Sequence, residues 1–273
     1  MPSKDNAPIG IIGGSGLYEF FDSATSVTVD TPYGFPSAAL TRGVVQGRNV
    51  VFLPRHGEHH EYPPHLINYR ANLWALASLG VQQVLAPCAV GSLIPAFSAG
   101  TFVIPDQLID RTTARERTFV SHGVNHVPFA DPYCHDGRSA VGKAGDDVLG
   151  DPPDAIATMV VIDGPRFSSR AESRWHVQAG GSLVNMTGQP EAGLTRELGL
   201  CYTAIALVTD MDAGIDGGSG VTQDEAIAVF RRGMGTMRTL LAAAIGLMPE
   251  LRTCACVQAL DGLTPDWLPS TPA

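Results

Sequence analysis

Residues 182–210 read SLVNMTGQPEAGLTRELGLCYTAIALVTD, and this segment indicates the fold class. It contains two apolar runs, at residues 182–187 and 202–210, and each is typical of a buried strand. Between them, Pro190 stands at a first-turn position and Gly199 at a stop position, a pattern that predicts a helix. Similar runs alternate over most of the chain. This alternation predicts an α/β domain with a largely parallel sheet.

The other predicted elements follow the same signals. Apolar runs bounded by Gly, Pro or Asp predict five more strands, at residues 8–14, 49–54, 82–87, 101–106 and 157–163. Two more helices are predicted, one over residues 67–80 and one over 221–246, which begins with a capping box of Thr222 and Glu225. Residues 111–153 are expected to be rich in loops, with a surface connection at 142–155. The interpretation is a single domain, residues 1–273, with an extended C-terminal segment from about residue 249.

The composition argues against several classes of protein. The chain has 273 residues, of which 44% are hydrophobic and 16% charged, as in a compact globular protein. Its net charge of −9 and the lack of a basic stripe argue against a nucleic-acid partner. The N-terminal sequence has no secretory pattern, and no apolar run approaches the roughly 20 residues of a membrane span. We therefore expect a cytoplasmic protein without a membrane partner.

The five cysteines, Cys88, Cys134, Cys201, Cys254 and Cys256, form an odd and scattered set along the sequence. Such usage suits a reducing compartment such as the cytosol. Cys254 and Cys256 stand too close together for an ordinary zinc knuckle. They are interpreted as two thiols in a terminal segment.

Residues 53–65, LPRHGEHHEYPPH, allow two interpretations. Histidines with nearby carboxylates are typical of a zinc or iron site, and His56 and His60 would share one face of a helix. However, Gly57 and the two prolines that close the segment disfavour a continuous helix. An Arg-His pair directly after an apolar strand is typical of an anion site. Arg55 and His56 therefore favour an anion, with the metal site as the alternative.

Two further strand ends could contribute to the same site. The glycines around Ser15 form a turn whose N–H groups could face a phosphate, although a plain tight turn explains them as well. Neither a P-loop nor a dinucleotide-binding fingerprint is present there. Asp210 and Asp212 end a strand, where adjacent carboxylates raise one another's pKa and can keep one protonated as an acid. Alternatively, the two aspartates could cap a helix or a turn, or they could form a metal-binding Asp-x-Asp.

Two other residues at strand ends each have a structural and a functional interpretation. Phe167 could stack on a flat ligand, or it could be a core phenylalanine. Thr187 could present its hydroxyl to an anion, or it could cap the helix that begins near Pro190.

Nine motifs occur in a fixed order between about Ile9 and Ile245: IGIIGGSGLY, DTPYGFPSA, RHGEHH, NYRANLWAL, CAVGSL, DQLIDRT, GPRFSSRAES, NMTGQPEA and TDMD. Each motif is modestly specific, whereas all nine in this order are highly specific. The pattern resembles the nucleoside phosphorylase family, in its 5′-methylthioadenosine phosphorylase branch. The resemblance implies a phosphorylase/hydrolase-like α/β fold, in which helices flank a central mixed sheet, and it commonly implies a homotrimer.

The resemblance also implies which residues form the site. It implies that phosphate is held by Ser15, Arg55, His56, Thr187 and the backbone at Cys88 and Ala89. Cys88 stands where many relatives have Thr or Asn. Met186 would lie under the ribose with Asn185 beside it. The base would meet the ring of Phe167 and, at its edge, Ser168, Asp210 and Asp212. His126 would reach the site of a neighbouring protomer. Gln223 falls near a position that is apolar in methylthio-specific members and His in members that recognise a 5′-hydroxyl.

The implied reaction is phosphorolysis of the N-glycosidic bond of 5′-methylthioadenosine to adenine and 5-methylthioribose 1-phosphate. Inorganic phosphate is the cosubstrate, and no metal or other cofactor is implied. Ser168 and Asp210 stand where relatives that act on 6-oxopurines carry Glu and Asn, which favours adenine. Adenosine or another 5′-modified adenosine is an alternative because of Gln223, and a 6-oxopurine nucleoside is a weaker one. A metal-dependent hydrolase that uses His56, His60 and the two aspartates is the alternative from a different class.

Overall fold

The structure is a computed structural model. It describes residues 7–14, 21, 24–150, 153, 156–215, 217, 220–263 and 265–269. Within these residues, ten strands form one sheet and helices flank it. The strands are β1 (Ile9–Gly13), β2 (Thr25–Val27), β3 (Leu40–Val45), β4 (Arg48–Pro54), β5 (Gln83–Ser92), β6 (Phe102–Val103), β7 (Gln107–Asp110), β8 (Thr158–Val161), β9 (Leu183–Asn185) and β10 (Cys201–Met211). The α-helices are α1 (Tyr69–Ser78), α2 (His135–Leu149), α3 (Arg170–Gln178), α4 (Gly188–Glu197) and α5 (Gln223–Leu247). Short 3₁₀ helices cover Pro64–Leu66 and Ala255–Gln258.

The sheet is mixed, which confirms the fold that the resemblance implied. Its centre is parallel, because β1 pairs with β4 and β5, and β5 also pairs with β10. β7, β8 and β9 are parallel to one another, but β9 meets β5 in the antiparallel sense. β2, β3 and β6 pair in the antiparallel sense. The expectation of a largely parallel sheet therefore holds for the centre. It does not hold for β2, β3 and β6, or for the pairing of β9 with β5.

Alternate side chains of the central strands enter two cores on opposite faces of the sheet, as the two-residue repeat of a strand requires. Ile11 and Phe52 lie in the core that also contains residues of α2 and α5. Their neighbours Ile12 and Leu53 lie in the core that contains residues of α1 and α4. Burying a large apolar side chain of this kind contributes roughly 1.5–3 kcal/mol.

The helices predicted over residues 67–80 and 221–246 form as α1 and α5. The side chain of Asn68 accepts the N–H of Ala71 at the start of α1, and Gly80 adopts a left-handed φ of 84° just after its end. Thr222 caps α5 by accepting the N–H of Glu225. Such N-caps are typically worth about 1 kcal/mol.

The expectation of a surface connection at residues 142–155 is wrong over much of its length, since α2 extends to Leu149. The sequence suggested a loop because glycines recur there, but two glycines of α2, Gly137 and Gly145, permit close packing. A Cβ on Gly145 would clash with Cδ of Pro153, and one on Gly137 would clash with Oγ1 of Thr203. Small residues are therefore required on the faces of α2 that approach its neighbours.

The C-terminal segment is not wholly extended, because it contains the 3₁₀ helix Ala255–Gln258. Trp267, in the same segment, is buried, and its indole Nε1 donates to the carbonyl of Glu197 at 3.0 Å. Nor are the cysteines scattered in space, since Cys254 and Cys256 meet Cys134 and Cys201 in one cluster. Sequence spacing could not show this convergence, because it joins three separate parts of the chain.

In the part of the chain that the structure describes, no helix combines the length and the apolar character that crossing a membrane would require.

Candidate active site

A cavity of about 290 Å³ lies at the carboxyl ends of several strands of the sheet. This is the place where open α/β sheets usually bind ligands. Gly14 follows β1, Arg55 follows β4, Ile162 follows β8, and Asn185 ends β9. The wall brings together the following residues that the sequence predicted: Arg55, His56, Cys88, Ala89, Phe167, Ser168, Asn185, Met186, Thr187, Asp210 and Asp212.

Arg55 is buried and lines this cavity. Its Nη2 donates to Oε2 of Glu191 and to the carbonyl of Ile12, both at 3.0 Å, its Nε donates to Oε1 of Glu191, and its Nη1 donates to the carbonyl of Pro87 at 3.2 Å. Burial by itself lowers the pKa of Arg55, but the adjacent carboxylate of Glu191 outweighs it and raises the pKa. The guanidinium is therefore a permanent cation in a fixed orientation, with an N–H of Nη1 still available for a ligand.

Glu191 is a residue of this site that the sequence reasoning missed. It is 1% exposed, and besides Arg55 it binds the hydroxyl of Tyr202, which donates to Oε2 at 2.8 Å. Its position within the motif NMTGQPEA is the signal that could have identified it. A buried carboxylate needs such partners, because an unpaired charge in the interior is very costly.

His56 is neutral in this environment. Burial, followed by the repulsion of Arg55, lowers its pKa to about 4. Nδ1 lies 2.9 Å from the carbonyl of Tyr62, which can only accept, so Nδ1 carries the proton and Nε2 is left as an acceptor. The ring of His60 stacks on that of His56 with centroids 5.2 Å apart. His56 can therefore accept a hydrogen bond from a protonated phosphate oxygen, but it adds no positive charge near pH 7.

Asn185 fixes the corner between β9 and α4. Its Nδ2 donates to the carbonyl of Ala89 at 3.1 Å, and its Oδ1 accepts the N–H groups of Thr187 at 2.7 Å and Gly188 at 2.6 Å. Thr187 is the N-cap residue of α4, but its side chain makes no capping bond. The hydroxyl of Thr187, which is on the cavity wall, is consequently placed by Asn185.

Arg115 is a second residue that the sequence reasoning missed, because it lies in the stretch that was expected to be loop. Its Nη1 donates to the carbonyls of Met186 at 2.7 Å and Gln189 at 2.6 Å, and its Nη2 donates to that of Asp163 at 2.7 Å. These bonds hold the backbone behind the cavity wall. Arg115 therefore positions Met186 without lining the cavity itself.

Asp210 stands beside a register shift in β10, between Val208 and Asp210, where the strand pairs with β5. Such bulges redirect a side chain. Burial, opposed by the hydrogen bond from Thr209 and assisted by the charge of Asp212, raises the pKa of Asp210 to about 6. Gly91 leaves the room for this carboxyl group, since a Cβ there would lie 2.9 Å from Oδ1 of Asp210.

Asp212 is 2% exposed, and its Oδ2 accepts the hydroxyl of Ser173 at 2.7 Å. Nearby, Phe167 keeps 37% of its surface exposed on the cavity wall. The hydroxyl of Ser168 is buried and has no hydrogen-bond partner among the described residues. An unpaired buried hydroxyl costs about 1–3 kcal/mol, and a polar ligand edge would remove that cost.

Two of the predicted residues that the structure describes, His126 and Gln223, are not on this wall. Ser15 lies outside the described residues, although the adjacent Gly14 lines the cavity. His126 is exposed in a loop, and its predicted place in a neighbouring protomer's site stays a prediction. Gln223 begins α5 outside the wall, and α5 instead contributes apolar side chains, Ala226, Ile227 and Phe230.

The alternative metal site is not supported by the positions of its ligands. Among the described residues, His56, His60, Asp210 and Asp212 do not form a group whose ligand atoms lie close enough to share an ion. The cavity can instead hold an anion at Arg55 and Thr187. Asp210, on the same wall, can donate a proton.

Comparisons with known proteins agree with this geometry. The pattern of the Phosphorylase superfamily matches residues 8–246. An S-methyl-5′-thioadenosine phosphorylase from Mycolicibacterium smegmatis is 55% identical over 90% of this chain and 93% of its own. A purine nucleoside phosphorylase from Streptomyces coelicolor is 51% identical over 97% of this chain and 98% of its own. The crystal structure of a methylthioadenosine phosphorylase from an antarctic soil metagenomic library superposes with a TM-score of 0.88 at 38% identity, covering 95% of this chain and 92% of that one.

Proposed function

Because this chain belongs to the Phosphorylase superfamily, we propose that it cleaves the N-glycosidic bond of 5′-methylthioadenosine with inorganic phosphate. The products are adenine and 5-methylthioribose 1-phosphate. One observation carries the proposal: a single cavity combines the fixed cation of Arg55 with the carboxyl group of Asp210, whose pKa is about 6. The first suits the attacking anion and the second suits the leaving purine.

The chemistry balances with these two groups. A phosphate oxygen forms a bond to C1′ while the bond from C1′ to the purine nitrogen breaks and its electron pair goes to the purine. Asp210 supplies the proton, or a strong hydrogen bond, to N7 of that purine. General acid catalysis of this kind is typically worth roughly 10²–10⁴ in rate. Positive charge on the ribose is stabilised by the phosphate, which also supplies the nucleophile, so no cofactor takes part in the proposed reaction.

Each end of the cavity contributes to positioning. Phosphate binds the N–H of Arg55 Nη1, the hydroxyl of Thr187, the backbone at Cys88 and Ala89, and Nε2 of His56. Burial raises the pKa of the Cys88 thiol to about 12, so this residue brings no negative charge to an anion. Ser15 would add a further contact. The ribose lies against Met186 and Asn185. The adenine ring stacks on Phe167, with Ser168 and Asp212 at its edge.

The apolar wall from α5 supports a methylthio group at the 5′ position. Ala226, Ile227 and Phe230 offer no hydrogen-bond partner for a 5′-hydroxyl, and leaving a buried hydroxyl unpaired costs about 1–3 kcal/mol. We therefore expect kcat/KM for 5′-methylthioadenosine to exceed that for adenosine by about tenfold or more. Gln223 begins the same helix outside this wall and would affect the selectivity indirectly.

A second substrate class is supported by the relative from Streptomyces coelicolor, which is named a purine nucleoside phosphorylase. That name admits adenosine or a 6-oxopurine nucleoside. Ser168 and Asp210 argue against a 6-oxopurine, because the family resemblance implies Glu and Asn at these positions in relatives that act on 6-oxopurines. The expected order is 5′-methylthioadenosine first, adenosine second and inosine last.

We further propose that the enzyme acts as a cytoplasmic homotrimer in purine and methionine salvage, without a nucleic-acid or membrane partner. His126, exposed in one protomer, would complete the 5′ end of its neighbour's site. Sedimentation combined with activity at limiting dilution tests this. A fully active monomer would contradict the role of His126.

The deciding experiment measures base release from 5′-methylthioadenosine, adenosine and inosine, each with and without phosphate. Adenine release that requires phosphate and is fastest from 5′-methylthioadenosine is the expected result. Faster cleavage of adenosine or inosine would retain phosphorolysis and change the substrate. Cleavage that proceeds equally well without phosphate would refute the proposal and favour a hydrolase.

A further inference from the structure

Four of the five cysteines meet at a place remote from the cavity described above. Cys134 is the N-cap residue of α2, Cys201 is the first residue of β10, and Cys254 and Cys256 come from the C-terminal segment. Their four Sγ atoms all lie within 4.8 Å of one another. The walls of this region and of the active-site cavity have no residue in common.

The spacing of the sulfur atoms suits a shared ion. Four thiolates around one zinc ion lie about 2.3 Å from the metal, which places neighbouring sulfurs about 3.8 Å apart in a tetrahedron. The observed separations include 3.4 Å between Sγ of Cys201 and Sγ of Cys254, and none exceeds 4.8 Å. All four are free thiols in the structure. Small rotations of the side chains would complete the tetrahedron.

The backbone holds these ligands in place. The N–H of Cys134 donates to the carbonyl of Tyr202 at 2.8 Å, and that of Cys201 donates to the carbonyl of Gln82 at 3.0 Å. Cys254 and Cys256 flank the first residue of the 3₁₀ helix Ala255–Gln258, so their side chains approach from the same short turn. Such backbone contacts orient the ligands of a metal site.

The surroundings also provide a route and compensating charge. A cavity of about 530 Å³ reaches Cys254 and Cys256 from the surface, while Cys134, Cys201 and Cys256 are buried. Its wall contains two arginines, Arg138 and Arg196, and three aspartates, Asp106, Asp131 and Asp136. A zinc ion with four thiolates carries two net negative charges, and the N-terminal end of α2, whose N-cap residue is Cys134, would offset part of this charge.

We propose that Cys134, Cys201, Cys254 and Cys256 bind one Zn²⁺ ion as a closed, structural tetrathiolate site. Four thiolate ligands leave no open position, so the ion takes no part in the cleavage of the nucleoside. On binding, the thiol protons are released to solvent and four S–Zn bonds form, without oxidation or reduction. The ion fastens the C-terminal segment to the start of α2 and the start of β10.

The test uses the full-length protein, purified without chelators in the presence of a phosphine reductant. Metal analysis is expected to find one zinc per chain. After the metal is removed, titration with Co²⁺ is expected to saturate at one equivalent, with the intense visible bands and thiolate charge-transfer absorption of a tetrahedral cobalt–thiolate site. Added Zn²⁺ should abolish these bands. At free Zn²⁺ about a hundred times the Kd, the apo protein should gain about 5–10 °C in Tm.

Variants separate the cluster from the remaining thiol. In Cys254→Ser, at the least buried of the four, the charge-transfer absorption per bound Co²⁺ should fall by about a quarter, because three thiolates remain, and the Co²⁺ affinity should fall at least tenfold. Cys88→Ser is the matched control, because it removes the fifth cysteine and should leave the Co²⁺ spectrum and stoichiometry unchanged. The wild-type titration is decisive even where a variant folds poorly.

Two results would overturn the proposal. One is a reduced wild-type protein that binds neither Co²⁺ nor Zn²⁺ with a Kd below about 1 μM. The other is a protein isolated with disulfides among these four cysteines, shown by alkylation and mass spectrometry, that remains metal-free after reduction. Neither result would affect the phosphate dependence of base release, so this inference and the proposed function fail independently.

Discussion

Asp210→Asn should make the protein more stable at neutral pH while it removes most of the activity. The native carboxyl group has a pKa of about 6, raised from 3.8 chiefly by burial and then by Asp212. In the unfolded chain the same group ionises freely. Asp210 therefore contributes stability that is present below about pH 4 and is lost as the pH rises through 6. An asparagine does not titrate, so the variant avoids that loss.

The magnitude follows from the two pKa values at about 1.36 kcal/mol per unit. The loss of stability due to Asp210 is about 1.6 kcal/mol at pH 5 and about 3 kcal/mol at pH 7.5. These are upper values, because the side chain of Asp210 is only partly buried and solvent screens its charge. The difference in the free energy of unfolding between Asp210→Asn and the wild type should thus grow by about 1.4 kcal/mol from pH 5 to pH 7.5. This corresponds to about 3–6 °C in Tm.

The assay is thermal unfolding of both proteins at pH 5 and pH 7.5 in matched ionic strength. Asp30→Asn, which removes an exposed carboxylate, is the control for the change in net charge and should show no such trend. In parallel, kcat on 5′-methylthioadenosine should fall by about 10²–10⁴ in Asp210→Asn, because the amide cannot give up a proton to the purine. A Tm difference that is the same at both pH values would refute the burial argument. Unchanged turnover would refute the catalytic role.

Three further changes test other parts of the site. Glu191→Gln leaves the buried Arg55 without its counter-charge, so the free energy of unfolding should fall by about 3–5 kcal/mol, and an unchanged denaturation midpoint would contradict this. Gly91→Ala places a Cβ 2.9 Å from Oδ1 of Asp210, so kcat should fall at least tenfold with little change in the KM for phosphate in steady-state kinetics. Ile227→Asn supplies a polar partner near the 5′ end, so the ratio of kcat/KM for adenosine to that for 5′-methylthioadenosine should rise about tenfold, whereas Ile227→Val should leave the ratio within about twofold.

The sequence was sufficient for the elements with strong local signals. α1 ends just before Gly80 and α5 begins at the cap Thr222, and both of these signals are local in the chain. The buried strands at the centre of the sheet show as apolar runs, because both of their faces are covered. β2 and β3 were missed, since they lie towards the edge of the sheet, where partly exposed residues interrupt any apolar run. α2 was missed because its glycines pack closely against other segments, which sequence alone does not distinguish from turns.

For the site, the order of the motifs determined which side chains would belong together, and the strand ends indicated where they would meet. What only the tertiary structure decided is the environment of each group. It pairs Arg55 with Glu191, makes His56 neutral and raises the pKa of Asp210. It also brings Cys134 and Cys201 to the C-terminal thiols. Residue types and local spacing are properties of the chain, whereas burial and charge pairing arise between segments far apart in sequence, and they exist only once the chain has folded.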